Sequence, residues 1–144
     1  MEALKLAALD AEDLQVIAAY VQDSVLTVGD IDWRPREKRL VLAINRFAWE
    51  KADRADKGFE RHRALLHFAR VEAVRSARIR RDAPDAVLSL LTVRFEASDA
   101  PAGRVYLDFS GGGSLCADVE CIEASLADLG VAWATGNRPA HELG

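Results

Sequence analysis

The chain contains 144 residues, half of them hydrophobic, with 19 Lys and Arg against 23 Asp and Glu and a net charge of −4. That length predicts one domain that buries roughly two-thirds of the surface of its unfolded chain. The sequence has no apolar run of about 18 residues and no leader-like start, which argues against a membrane-embedded or exported protein. Two cysteines are fewer than most small secreted domains carry, so we expect a soluble, cytoplasmic protein.

The N-terminal part of the chain predicts a short edge strand followed by a helix. Residues 4–9 are a short apolar stretch. Asp10 is a predicted N-cap, since acidic residues follow it where they favour the positive end of a helix dipole. Leu14, Ile17 and Val21 then recur at helical spacing, which completes a first helix of about three turns.

Strand patterns dominate the middle of the chain. Residues 25–33 and 39–49 predict a hairpin, because a turn with Pro35 at a favoured position separates them. The polar residues 51–61 predict a long loop. Further strand patterns cover residues 64–79, as one bent strand or two short ones, and then residues 87–97.

Residues 104–119 predict a second hairpin. Val105, Leu107 and Phe109 alternate with polar residues, and the same alternation returns after three glycines, at residues 114–119. Glycine reaches the positive φ values that tight hairpin loops require. Because another strand follows the glycines rather than a helix, we interpret them as turn geometry and not as a phosphate-binding loop.

A helix is predicted after this hairpin. Asp118 is a possible N-cap, Ile122, Leu126 and Leu129 recur at spacings of four and three, and Gly130 stands where a C′ glycine is expected. The single domain then covers residues 1–133, and residues 134–144 are expected to be a poorly ordered tail.

Strands joined by short turns favour an antiparallel sheet, and this many strands rarely form a flat one. We therefore predict an α+β fold with a curved antiparallel sheet or split barrel, similar in architecture to pleckstrin-homology-like domains. An N-terminal helix and a C-terminal capping helix would pack against it. The alternative is a two-layer sheet with both helices on one face.

Several segments resemble an alphaproteobacterial family catalogued only as a domain of unknown function. The similarity is strongest in Gly111–Gly113 with residues 118–124 and 126–130, and it extends over nearly the whole chain. The other matching segments are residues 33–39, 45–47, 49–50, 93–96 and 138–139. The resemblance implies a bacterial cytosolic protein, and it implies no activity, cofactor or catalytic residue.

No motif predicts a metal or cofactor. Cys116 and Cys121 lack the second pair of ligands that tetrahedral zinc requires, and we interpret them as small buried apolar residues. Cys121, near the start of the predicted helix, and the histidines His62 and His67 are the candidates for a small enzyme with its site in a cleft between sheet and helix. None has a sequence neighbour that completes a nucleophile and base pair, so we predict no catalytic residue.

The charge distribution is uneven along the chain. Residues 34–81 hold fifteen Lys and Arg against six Asp and Glu, whereas the remainder holds four against seventeen. If the basic residues share one face, that face would attract phosphate or an acidic partner. Otherwise they are solvated strand and turn positions, neutralised by acidic neighbours. The candidate anion-binding residues are Arg34, Arg36, Lys38, Arg61, Arg63, Arg80 and Arg81.

These observations lead to one leading functional prediction and two alternatives. Because no spacing supports a nucleophile, metal or cofactor site, we predict a non-catalytic protein-binding or adaptor module with a protein partner and no membrane association. The first alternative is an anion-binding module for nucleic acid or a phosphorylated ligand, which uses the basic residues of 34–81. The second is the small enzyme with a cysteine or histidine in its cleft.

Overall fold

The computed structural model describes residues 4–48 and 59–135. These residues form ten strands and one α-helix, α1, at Ala11–Val21. The strands are β1 Lys5–Ala8, β2 Val25–Thr27, β3 Ile31–Arg34, β4 Arg39–Phe47, β5 Phe59–Phe68, β6 Val71–Ala77, β7 Val87–Ala97, β8 Gly103–Phe109, β9 Ser114–Val119 and β10 Ala124–Thr135.

The strands form one open, curved, antiparallel sheet. Their order is β1-β10-β5-β4-β2-β7-β8-β9-β6, and β3 pairs with β4 beside β2. Strand β4 lies between β5 on one side and both β2 and β3 on the other. Strand β6 pairs with β9 and ends the sheet order opposite to β1. The α+β class and the curved antiparallel sheet are therefore confirmed.

Helix α1 begins where the sequence predicts. The side chain of Asp10 accepts a hydrogen bond from the backbone N–H of Asp13 at 2.8 Å, which satisfies one of the free donors of the first turn. Leu14, Ile17 and Val21 are fully buried. They pack in one continuous core with buried apolar residues of the sheet, and the helix contacts β1, β4, β7 and β10.

The strand patterns were predicted well where the alternation is regular. The inward residues Leu40, Leu42 and Ile44 of β4 are fully buried. Val105 and Leu107 of β8 are at most 1% exposed. The three-glycine turn closes the β8–β9 hairpin, with the Phe109 N–H donating to the Gly113 carbonyl at 2.8 Å. Gly111 and Gly112 adopt positive φ values of 83° and 89°, as the loop requires.

The predicted C-terminal capping helix is wrong. Residues 114–119 form β9 and residues 124–135 form β10, which pairs with both β1 and β5. Ala124, Leu126 and Asp128 are buried while Leu129 is 62% exposed, an alternation with a period of two that a helix cannot satisfy. The pleckstrin-homology-like comparison stays a prediction, without the helix on which it was based.

Two other sequence predictions fall partly beyond the described part of the chain. Most of the predicted loop at 51–61 lies outside it, and β5 begins at Phe59. The predicted tail lies outside it from residue 136 onward, while residues 134 and 135 belong to β10.

Candidate functional site

A surface cleft lies between β3 and β6. Its volume is about 510 Å³, within the roughly 300–1,000 Å³ typical of ligand sites. Seven of its eleven lining residues are apolar or aromatic, and polar atoms supply about half of the exposed wall. The lining residues are Val28, Gly29, Ile31, Trp33, Val74, Arg75, Ser76, Ile79, Arg81, Pro84 and Leu115.

The alternation of β3 aims two of its side chains into this cleft. Ile31 and Trp33 of β3 pair with Leu42 and Leu40 of the neighbouring strand β4. Directly paired residues point to the same face of a sheet, so Ile31 and Trp33 share the inward face with these buried leucines. Ile31 and Trp33 themselves are only half-buried. The opposite wall includes Val74 of β6 and the buried Leu115 of β9.

Backbone hydrogen bonds join the two sides of the cleft beyond its walls. The Val71 N–H donates to the Lys38 carbonyl at 2.9 Å, where β6 begins beside the β3–β4 turn. The Gly29 N–H donates to the Pro84 carbonyl at 2.8 Å, beside the start of β3. These two bonds fix the position of β3 relative to β6 and the β6–β7 connection, so backbone contacts set the width of the cleft at two points.

The arginines at the cleft differ in their contacts. Arg75 donates to Asp118 Oδ1 at 3.0 Å and lies within 3.5 Å of the Cys116 sulfur. Arg81 is exposed, and within residues 4–48 and 59–135 no carboxylate pairs with it. Arg81 is therefore the cleft cation that is available to an incoming group.

The nearby carboxylate of Asp30 is already engaged. Its Oδ2 accepts hydrogen bonds from the Thr27 N–H and hydroxyl at 3.0 Å each, and Arg63 approaches Oδ1 at 3.4 Å. Burial alone would raise the pKa of Asp30, but these hydrogen bonds and the charge of Arg63 outweigh it and hold the pKa below its ordinary value.

The seven basic residues singled out in the sequence have different environments. Arg34 pairs with Asp32 at 2.8 Å and with Glu37 at 3.5 Å, and the three are exposed. The remaining close carboxylate contacts are Lys38 with Glu120 at 2.9 Å, Arg63 with Asp30 at 3.4 Å and Arg80 with Asp82 at 4.0 Å. Arg36 and Arg81 are exposed and form no ion pair with any described residue. Whether the set binds an anion stays a prediction.

Arg61 is buried rather than displayed. Its side chain is 1% exposed, and it donates to the carbonyl oxygens of Asp23 at 3.2 Å and Asn45 at 3.0 Å. Its guanidinium carbon lies 6.0 Å from the centre of the Phe47 ring. These contacts connect β5 across β4 to the turn after α1, which is a structural role.

A second polar group, a buried ionic cluster, joins β4, β5 and β10. Arg46 donates to both carboxylate oxygens of Asp128 at 2.8 Å, and His62 Nδ1 lies 2.8 Å from Asp128 Oδ2. The three side chains are 0%, 3% and 10% exposed for Arg46, Asp128 and His62. Because a carboxylate only accepts hydrogen bonds, His62 donates through Nδ1.

The ionic cluster keeps Asp128 charged. Burial alone would raise the pKa of Asp128, but the hydrogen bonds and charges of Arg46 and His62 outweigh that effect and lower the pKa. The Arg46 guanidinium also lies 5.8 Å from the centre of the Tyr20 ring on α1. The cluster therefore connects three strands and the helix within the core.

The remaining enzyme candidates, Cys121 and His67, are not together. Cys121 lines a smaller groove of about 220 Å³ near Asp10 and Pro101. His67 lies on β5, and its Nε2 is buried without a hydrogen-bond partner in the described chain. Burial lowers the pKa of His67, and the charge of Arg39 lowers it further.

The described residues contain no group of three or more His, Cys, Asp or Glu side chains arranged to hold a metal ion. The α-helix that they form is too short and too polar to cross a membrane.

Sequence reasoning missed both the cleft and the ionic cluster. Arg46 continues the inward series of Leu40, Leu42 and Ile44, and an arginine at such a position is the local sign of a buried partner. The identity of that partner, 82 residues away, has no sign in the sequence.

Fold and site together describe a small α+β protein with a curved antiparallel sheet and a surface cleft lined by apolar residues and two arginines. The sequence profile of one family matches residues 4–141. The chain belongs to this family, which is described as "Protein of unknown function (DUF2948)". Neither the curated proteins nor the solved structures contain a match to the chain.

Proposed function

We propose that this protein is a non-catalytic protein-binding or adaptor module of the bacterial cytoplasm, and that its partner inserts a short segment into the cleft between β3 and β6. The observation that carries the proposal is an open cleft of about 510 Å³ in which seven of the eleven lining residues are apolar or aromatic. Apolar side chains that line an open cleft remain in contact with water, because no other part of the protein fills the cleft. Covering them with a partner removes that apolar surface from water, which lowers the free energy.

The shape of the cleft favours a segment of a larger molecule. The exposed residues Ser76, Arg81 and Pro84 lie along its opening, so a segment attached to a bulky partner can reach the apolar walls from outside. Partners of this kind place one large side chain in a pocket and surround it with weaker contacts. The two free thiols, Cys116 and Cys121, fit the reducing cytoplasm.

The anion-binding alternative predicts a different ligand, held by seven basic residues of which Arg81 lines the cleft and the other six do not. It uses the basic residues of 34–81, and its affinity would fall steeply with salt because neutralised phosphates release counterions. Five of its seven residues already contact carboxylates or carbonyl oxygens. The apolar cleft therefore supports the protein-binding proposal more directly.

Site-specific photo-cross-linking in the protein's own cells tests the proposal. A benzophenone amino acid replaces Ser76, which lines the cleft, or Ala77, its neighbour on β6 that does not. Successive strand residues point to opposite faces, and both positions are exposed, so the pair differs in direction and little else. Equal thermal unfolding of the two variants shows that both are folded.

We expect irradiation to attach a discrete polypeptide at position 76 that is absent at position 77 and survives nuclease treatment. Equal labelling at both positions, or none at position 76, would overturn the proposal. An adduct at position 76 that nuclease removes would replace it with nucleic-acid binding.

A further inference from the structure

The local charge of the cleft indicates what kind of segment it accepts. We infer that the partner segment carries a large apolar residue next to one or more carboxylates, with the apolar side chain against Trp33 and a carboxylate at Arg81. This inference rests on the proposed function and adds the chemistry of the partner to it.

The apolar part of the segment follows from the walls. Trp33 and Ile31 on one side and Val74 and Ile79 on the other are half-buried, and Leu115 is 4% exposed. These side chains present aliphatic and aromatic surface beside the polar groups of Arg75, Ser76 and Arg81. A large apolar side chain gains the most by covering such walls, roughly 1.5–3 kcal/mol for a fully buried residue.

The acidic part of the segment follows from an excess of positive charge at one wall. Residues 75–81 contain four arginines and no carboxylate. Arg75 and Arg81 line the cleft, and two nearby carboxylates are engaged, since Asp118 pairs with Arg75 and Asp30 pairs with Arg63. Asp82 and Asp85 follow shortly after Arg81 in the chain, outside the cleft lining. Arg80 has only a 4.0 Å contact with Asp82, and both are about four-fifths exposed.

Arg81 is the arginine best placed to bind a carboxylate. It lines the cleft, and no carboxylate of residues 4–48 or 59–135 pairs with it. A guanidinium binds a carboxylate through two parallel hydrogen bonds, so one acidic residue beside the apolar anchor satisfies it. This geometry separates the segment from a purely apolar peptide, which would leave Arg81 without a partner.

Selection of displayed random peptides on the purified protein tests the inference. The enriched peptides are measured by fluorescence anisotropy against the wild type, Arg81→Glu and Arg36→Glu. Both variants change the net charge equally at an exposed arginine, but Arg36 lies in the β3–β4 turn and does not line the cleft. A third variant, Ser76→Trp, occupies the cleft and reports whether the peptides bind there.

We expect enriched peptides that combine a large apolar residue with a neighbouring Asp or Glu. Arg81→Glu should weaken their binding by at least about tenfold, the loss expected when a charge-assisted contact becomes a repulsion. Arg36→Glu should change it by less than about twofold, because solvent and salt screen a distant exposed charge. Ser76→Trp should abolish it.

The possible failures separate the inference from the proposed function. Peptides that bind the cleft without acidic residues, or equally well to Arg81→Glu, overturn the acidic segment, and cross-linking at position 76 would still support a protein partner. Peptides unaffected by Ser76→Trp overturn the inference as well. A small molecule that co-purifies in the cleft, detected by native mass spectrometry, would overturn both.

Discussion

Replacing Asp128 by asparagine tests whether the buried ionic cluster stabilises the fold. The substitution keeps the size of the side chain and removes its charge, so the fully buried Arg46 loses its charged contact with this carboxylate. Leaving a buried charge without its partner costs about 3–5 kcal/mol. We expect about 3 kcal/mol for Asp128→Asn, because asparagine retains one hydrogen-bond acceptor.

Urea unfolding at neutral pH measures this loss. At a urea dependence of about 2 kcal/mol/M, the unfolding midpoint should fall by about 1.5 M. The matched control is Asp108→Asn. Asp108 also accepts from an arginine, Arg94, at 3.0 Å, but that pair is exposed by 52% and 33%, so its loss should cost at most about 1 kcal/mol.

The pH dependence gives a second readout of the same group. The pKa of Asp128 is lower in the folded protein than its ordinary value of about 4, so the unfolded chain binds a proton first as the pH falls. The stabilisation is therefore complete above about pH 5 and is lost as the pH falls through the folded pKa. The difference between wild type and Asp128→Asn should shrink below about pH 4. A gap of less than about 1 kcal/mol between the two asparagine variants at neutral pH would refute the argument.

Two further substitutions test local packing and capping. A Cβ at Gly103 would lie 2.4 Å from Phe95 Cζ, so Gly103→Ala should destabilise the protein by about 1–3 kcal/mol through overpacking. Gly111 has a positive φ but open space around it, so Gly111→Ala should cost only about 1 kcal/mol. Calorimetry of both variants checks this order, and the reverse order would contradict the packing. Asp10→Ala removes the cap on the Asp13 N–H and should cost about 1 kcal/mol in urea unfolding, whereas an unchanged midpoint would show that this cap contributes nothing.

The parts of the fold that could be predicted are those whose pattern is complete within a few residues. The N-cap of α1 needs only Asp10 and the next turn, and the β8–β9 hairpin needs two alternating runs around three glycines. Both signals are local, and the tertiary contacts of these two elements agree with them. The order of the strands and the cleft depend on contacts between distant segments, for which a single sequence gives no sign.

The wrong helix and the missed ionic cluster have one physical cause. Asp128 occupies an inward position of β10, where an alternating strand would place an apolar residue, so the run Ala124, Leu126, Asp128 does not appear as a buried face. Leu126 and Leu129 then suggest a helical spacing, although Leu129 points to solvent. Gly130 has a φ of 143° beside the irregular register between β10 and β5, a strand irregularity that resembles a helix-ending glycine in the sequence.

Asp128, whose charge made the alternation of β10 hard to recognise in the sequence, also fixes the position of β10 in the sheet. A buried Asp128 is tolerated only where Arg46 and His62 can reach it, and these two are directly opposite each other on β4 and β5. A shift of β10 by one residue would turn Asp128 to the other face and remove its two hydrogen bonds with the buried Arg46. The local signal for a helix was therefore produced by the residue that specifies the strand, and the interaction that resolves the ambiguity spans 82 residues.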